Sequence, residues 1–95
     1  MVKTSKRTKD LVKEQLLWAL FDARNAMELP NTLQLSQKVA RSDDFTLSLL
    51  QELQGAKLVL GTLKRFNEGK HGRARVWRLT DRAFEVMKLK EADVN

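Results

Sequence analysis

Residues 31–60, NTLQLSQKVARSDDFTLSLLQELQGAKLVL, decide the fold. Asn31 stands three residues before Gln34, the spacing of a capping box with Asn as the cap. A short helix is therefore expected from Thr32 to Ala40, burying Leu33, Leu35 and Val39. Arg41-Ser42 is a tight connection, and Ser42-Asp43-Asp44 starts the next helix. A serine oxygen accepts from a free N–H of the first turn, and carboxylates favour the positive end of the helix dipole. That helix is expected over residues 43–54, with Phe45, Leu49, Leu50 and Leu53 facing inward and Gly55 ending it. The periodicity then changes. Leu58 to Leu63 reads as a strand, with Gly61 marking a bulge or a point of close approach.

Downstream, Phe66 to Gly72 is a loop with two glycines, and Arg73 to Leu79 alternates as a second strand. Thr80-Asp81 caps a last helix with Ala83, Phe84, Val86, Met87 and Leu89 as its apolar positions. Upstream, Val12, Leu16, Ala19, Leu20, Ala23 and Met27 recur at helical spacing from Lys9 to Met27, flanked by Leu17 and Phe21. Residues 1–8 are short, polar and basic and read as a mobile arm, while residues 91–95 read as a frayed tail. One domain is thus expected over residues 9–90. It is mainly α with a small β-hairpin, in the order α-α-α-β-β-α, which is the plan of a winged helix-turn-helix.

The 95 residues make one domain. The longest apolar run, Leu16 to Phe21, is too short for a membrane span or a signal-peptide core, so a cytoplasmic protein without a membrane partner is expected. There is no cysteine, and His71 is the single histidine. That composition removes thiol chemistry, His/Cys dyads and the common zinc sites, and argues against metal sensing. No glycine-rich nucleotide loop is present, so neither an enzyme nor a bound cofactor is expected, and no small-molecule effector is evident.

The net charge of +6 is not evenly spread. Residues 1–13 carry five bases against one acid, and residues 57–78 carry seven against one. Residues 14–56 carry three bases against six acids. A surface selected only for solubility mixes the signs more evenly, so this segregation points to a polyanionic partner.

Leu33 to Val59 resembles the helix-turn-helix of the winged-helix superfamily, where the third helix ends in a Leu-x-x-Leu pair, here Leu50 to Leu53, and leads into a Leu-Val strand start. Gly72-Arg-Ala-Arg-Val-Trp-Arg-Leu-Thr-Asp81 is similar to the wing exit of MarR-like and PadR-like transcriptional regulators, where an Arg-rich strand runs into Leu-Thr-Asp/Glu and a final helix. The resemblance covers about residues 10–90 and implies double-stranded DNA binding, often as a homodimer. The chain is shorter than a typical MarR-like protein, so curtailed dimerisation helices are expected, and the glycine common after Leu-Thr is Ala83 here.

Duplex affinity comes mostly from neutralised phosphates and specificity from base edges. The wing (Lys64, Arg65, Lys70, Arg73, Arg75) and the arm (Lys3, Lys6, Arg7) are expected to supply the first. Thr46, Ser48 and Gln51 are candidates for the second, and Lys38, Arg41 and His71 complete the expected nucleic-acid-binding set. Asp43, Asp44 and Glu52 sit on the same helix, and a helical wheel puts Asp44, Ser48, Gln51 and Glu52 on its exposed face with Leu47 at the edge. Two acids at that helix start oppose phosphate approach. Trp18 and Trp77 are expected as core anchors. Leu17, Phe21, Phe84 and Met87 are the expected homodimer seam. The function expected is a transcriptional regulator, nucleoid-associated when DNA-bound. The alternative is a protein–protein or RNA/ribosome-associated interaction module, favoured by the acids of the third helix and an exposed Leu47.

Overall fold

The computed structural model describes residues 5–65 and 73–94. The element order is α1 (Lys6–Asn25), α2 (Thr32–Val39), α3 (Asp43–Gly55), β1 (Val59–Arg65), β2 (Arg73–Leu79) and α4 (Asp81–Val94), a winged helix. The loop expected over residues 66–72 lies outside the described residues.

The caps form largely where the spacing predicts. Asn31 and Gln34 make both halves of the capping box, at 2.8 and 2.9 Å. Ser42 Oγ accepts from the Phe45 N–H, and Thr80 Oγ1 accepts from the Ala83 N–H. The first helix starts earlier than its apolar period announces. Ser5 caps it by accepting from the Thr8 N–H, so Lys6 and Arg7 lie on α1 and not in an arm. At the other end α4 stays helical to Val94.

Three helices end in the same way, and none uses glycine. Met27, Ala40 and Lys57 adopt φ of 58°, 57° and 64°. Each is followed by the paired backbone bonds of a Schellman motif, such as Lys57 N–H to Gln54 C=O and Leu58 N–H to Leu53 C=O. Gly55 is therefore the last helical residue of α3, and the left-handed turn falls two residues later at Lys57.

The core is a set of helical stripes closed by the hairpin. α1 contributes Val12, Leu16, Ala19, Leu20 and Phe21, and α3 contributes Thr46, Leu49, Leu50 and Leu53. β1 and β2 pair antiparallel with Val59 opposite Leu79 and Gly61 opposite Trp77. Trp77 is fully buried at the centre of this packing. A β-carbon at Gly61 would lie 2.6 Å from the Trp77 ring, so the glycine is the space the indole occupies. The indole Nε1–H donates to Thr32 Oγ1 at 2.9 Å, and the Trp77 backbone N–H donates to the Pro30 carbonyl. Asn31 bridges Val76, so the segment between α1 and α2 lies along the outer side of β2. Nothing in the sequence reading anticipated that bridge. It joins the start of α2 directly to the wing.

Several side chains differ from expectation. Leu33 is 51% exposed and Met27 is fully outside, because the inward positions of α2 are Leu35 and Ser36, and α1 ends at Asn25. Phe21 and Met87 are buried within this chain, and Leu17 and Phe84 pack against its core, so they form no outward seam. The exposed apolar side chains of α4 are Val86 and Leu89. The Phe21 and Phe84 rings stack at 5.2 Å, and the Arg24 guanidinium covers Phe84 while pairing with Asp81 at 3.0 Å. Together these contacts fix the start of α4 to the end of α1.

Candidate nucleic-acid interface

The outer face of α3 presents Asp44, Leu47, Ser48 and Gln51, at spacings i, i+3, i+4 and i+7. Asp44, Ser48 and Gln51 are exposed and Leu47 is half-buried. Opposite them, across a groove of about 510 Å³, stand the start of α2 (Asn31, Thr32 and Leu33) and Arg75 of β2. Arg75 is exposed, with its guanidinium 5.7 Å from the Trp77 ring centroid, so a buried indole backs the cation.

Thr46 does not belong to this face. It is fully buried among Leu49, Leu50 and Leu53 and cannot touch a ligand. Its residue type is polar, but its position is on the inward stripe. Ser48 is exposed, with its hydroxyl donating to the Phe45 carbonyl at 2.8 Å, which leaves its oxygen lone pairs free to accept.

The three acids of α3 are not equivalent. The Ser36 hydroxyl makes a short hydrogen bond to Asp43 Oδ1 and also lies 2.8 Å from the Leu33 carbonyl, so Asp43 is held against α2. Glu52 turns away from the exposed face and pairs with Lys13 of α1 at 2.8 Å. The hydrogen bond from Lys13, then its charge, hold the Glu52 carboxyl below its ordinary value of 4.5, against an opposing desolvation and with a lesser contribution from Lys9. Asp44 has no hydrogen bond or ion pair among the described residues.

Glu52 makes an expected contribution to acid stability. A depressed folded-state pKa stabilises above the unfolded value, and that stabilisation is lost as pH falls through the folded one. Glu52→Gln should therefore lower thermal stability slightly near neutrality, where the pair contributes in full, and converge with the wild type as pH falls below about 4.5, giving a flatter acid limb. Melting curves over a pH series check this. An unchanged acid limb would show that the Lys13 pair contributes nothing.

Lys6 and Arg7 are exposed in the first turn of α1, which carries no acid. Cations there oppose the helix dipole, at about 0.3–1 kcal/mol each. Arg41 is exposed in the α2–α3 turn, its guanidinium 5.9 Å from the Phe45 ring. Lys38 is exposed but lines grooves between α1 and α2, beside Ala19, and not the groove of Gln51. Lys64, Arg65 and Arg73 occupy the paired outer ends of the two strands. Lys3, Lys70 and His71 lie outside the described residues. Among the described residues no group of three His, Cys, Asp or Glu could hold a metal ion, and no helix is long and apolar enough to cross a membrane.

No protein-family model matches the chain, and no curated protein sequence does. Solved structures do match it. A mutant of ZitR from Lactococcus lactis superposes with a TM-score of 0.67 at 19% identity, over 97% of this chain and 60% of that one. ZitR is described as a zinc-responsive MarR family member. A PadR-like transcriptional regulator from Bacillus cereus gives 0.68 at 22% identity, over 94% of this chain and 85% of the other. A protein from Archaeoglobus fulgidus gives 0.69 at 20% identity, over 94% and 93%. The chain thus spans less than two thirds of the ZitR protein and most of the other two. With its α-α-α-β-β-α order, this similarity establishes that the chain has the winged helix-turn-helix fold of the MarR-like and PadR-like regulators.

Proposed function

We propose that the chain is a double-stranded DNA-binding protein and not an enzyme, a transcriptional regulator that works in the cytoplasm at the nucleoid as a homodimer. In this reading Arg73 and Arg75, with Lys64, Arg65, Lys70 and His71, contact phosphate from the wing. Lys3, Lys6, Arg7, Lys38 and Arg41 add to the cationic footprint, and Ser48 and Gln51 face the bases. The observation that carries it is the exposed outer face of α3 set beside a hairpin in the most basic segment of the chain. The protein–protein or RNA alternative drew on an acidic third helix. Two of the three acids are engaged within the fold, which removes most of that motivation.

Retardation of duplex DNA over a salt series tests the reading. Binding that weakens steeply with salt is expected, from about five to eight phosphate contacts per dimer. No duplex binding at low salt would refute it.

In this reading the homodimer forms on the outer side of α4, where Val86 and Leu89 are exposed beside a groove that α4 shares with Ala56, Lys57 and Leu58. Sedimentation at micromolar concentration should give a dimer for the wild type and a folded monomer for Leu89→Glu. A dimer unaffected by that charge would place the seam elsewhere.

A further inference from the structure

The groove between α3, the start of α2 and β2 has a chemistry that discriminates among bases. Its α3 wall offers the Asp44 carboxylate, unpaired among the described residues, and the Gln51 amide two turns on. Asp43, its neighbour on the same wall, has its Oδ1 engaged by the Ser36 hydroxyl, which holds it toward α2. A carboxylate only accepts hydrogen bonds. In the major groove guanine presents two acceptors and thymine an acceptor and a methyl group, so both repel or waste it. Adenine presents its amine next to the N7 acceptor, whereas cytosine presents its N4 amine alone.

Resting on the reading of α3 as the base-contacting helix, we propose that Asp44 is a specificity-determining residue that accepts from the exocyclic amine of a cytosine. Gln51 reads a second base on the same side. Seven residues of helix advance about 10 Å, or about three base steps of B-form DNA, with adenine the bidentate partner of a glutamine. The exposed Arg75 lines the same groove as Asp44 and Gln51, and its cation would offset the repulsion between Asp44 and phosphate. The carboxylate lowers non-specific affinity and raises selectivity, because every duplex carries phosphates and only some carry the amine.

The test is selection from a randomised duplex pool with the wild type and Asp44→Asn, with melting curves for both. The wild type should enrich one cytosine per half-site and an adenine about three steps away. Asp44→Asn should lose about tenfold of the cytosine preference, keep the adenine, and bind random duplex at least as tightly. A purely capping role would lower the melting temperature and leave the base preference intact. An Asp44→Asn protein that still selects the same cytosine, or a wild type that binds duplex with no cytosine preference, overturns the inference while leaving DNA binding in place. A wild type that binds no duplex overturns both.

Discussion

Trp77→Ala is expected to destabilise the fold by about 3–5 kcal/mol, the range for truncating a large buried aromatic. For a domain of this size that lowers the melting temperature by more than about 10 °C. Three features concentrate the effect at one residue. The ring is fully buried with Gly61 against it, its Nε1–H is the donor to Thr32, and its strand neighbour Val76 bridges Asn31. The substitution therefore opens a cavity and also removes the indole's bond to Thr32, leaving only backbone bonds between the start of α2 and the wing. Gly61→Ala approaches the same contact from the other side. Its new methyl would sit 2.6 Å from an indole that has nowhere to retreat, at a cost of about 1–3 kcal/mol. Combining Gly61→Ala with Trp77→Phe should lose less than the sum of the two, because the smaller ring vacates the collision. Denaturant titrations measure all of these, with the exposed Leu63→Ala as a control of small effect. A Trp77→Ala loss below about 1 kcal/mol would mean that the hairpin is not anchored as described.

The second large effect is on binding. Replacing both Arg73 and Arg75 with alanine should weaken duplex binding by about tenfold or more at moderate salt, equally for cognate and random sequences. Phosphate contacts position the protein without reading sequence, so the loss must be uniform. The strand register places these residues opposite Arg65 and Leu63, and Arg75 is exposed on the outside of the Trp77 ring. Neither change should therefore lower stability by more than about 0.5 kcal/mol, and circular dichroism melting would separate a folding defect from a binding defect. A change in sequence preference without a change in overall affinity would make the wing a base reader.

Element order was legible because capping chemistry is local. Asn31 with Gln34, Ser42 with Asp43, and Thr80 each announce a helix start within four residues. Ser5 gave the same kind of signal, but its basic surroundings read as an arm, and the helix begins there. Thr46 shows where residue type misleads. Positions 46, 49, 50 and 53 form one stripe, and the period places the threonine inside although its hydroxyl reads as surface. Leu33 is the converse, an apolar residue turned outward because Leu35 and Ser36 take the inward positions of α2.

What the sequence concealed depends on contacts between distant segments. The acids of α3 read as a uniformly hostile face, and only the packing of α1 and α2 against it shows Glu52 on Lys13 and Asp43 on Ser36. The seam assigned to Phe21 and Met87 failed for a similar reason. A small core uses more of its apolar residues than a helical wheel of one element reveals. Gly61 was legible as a point of close approach, but not as the partner of Trp77, which needs the register.

The most direct measurement is the slope of log affinity against log salt for duplex DNA, for the intact chain and for the Arg73→Ala/Arg75→Ala protein. If the hairpin grips phosphate, the intact protein gives a slope of about −4 to −7, and the variant is shallower by about 3–4 for a dimer losing four contacts. Equal slopes for the two proteins, or affinity that does not respond to salt, would contradict it.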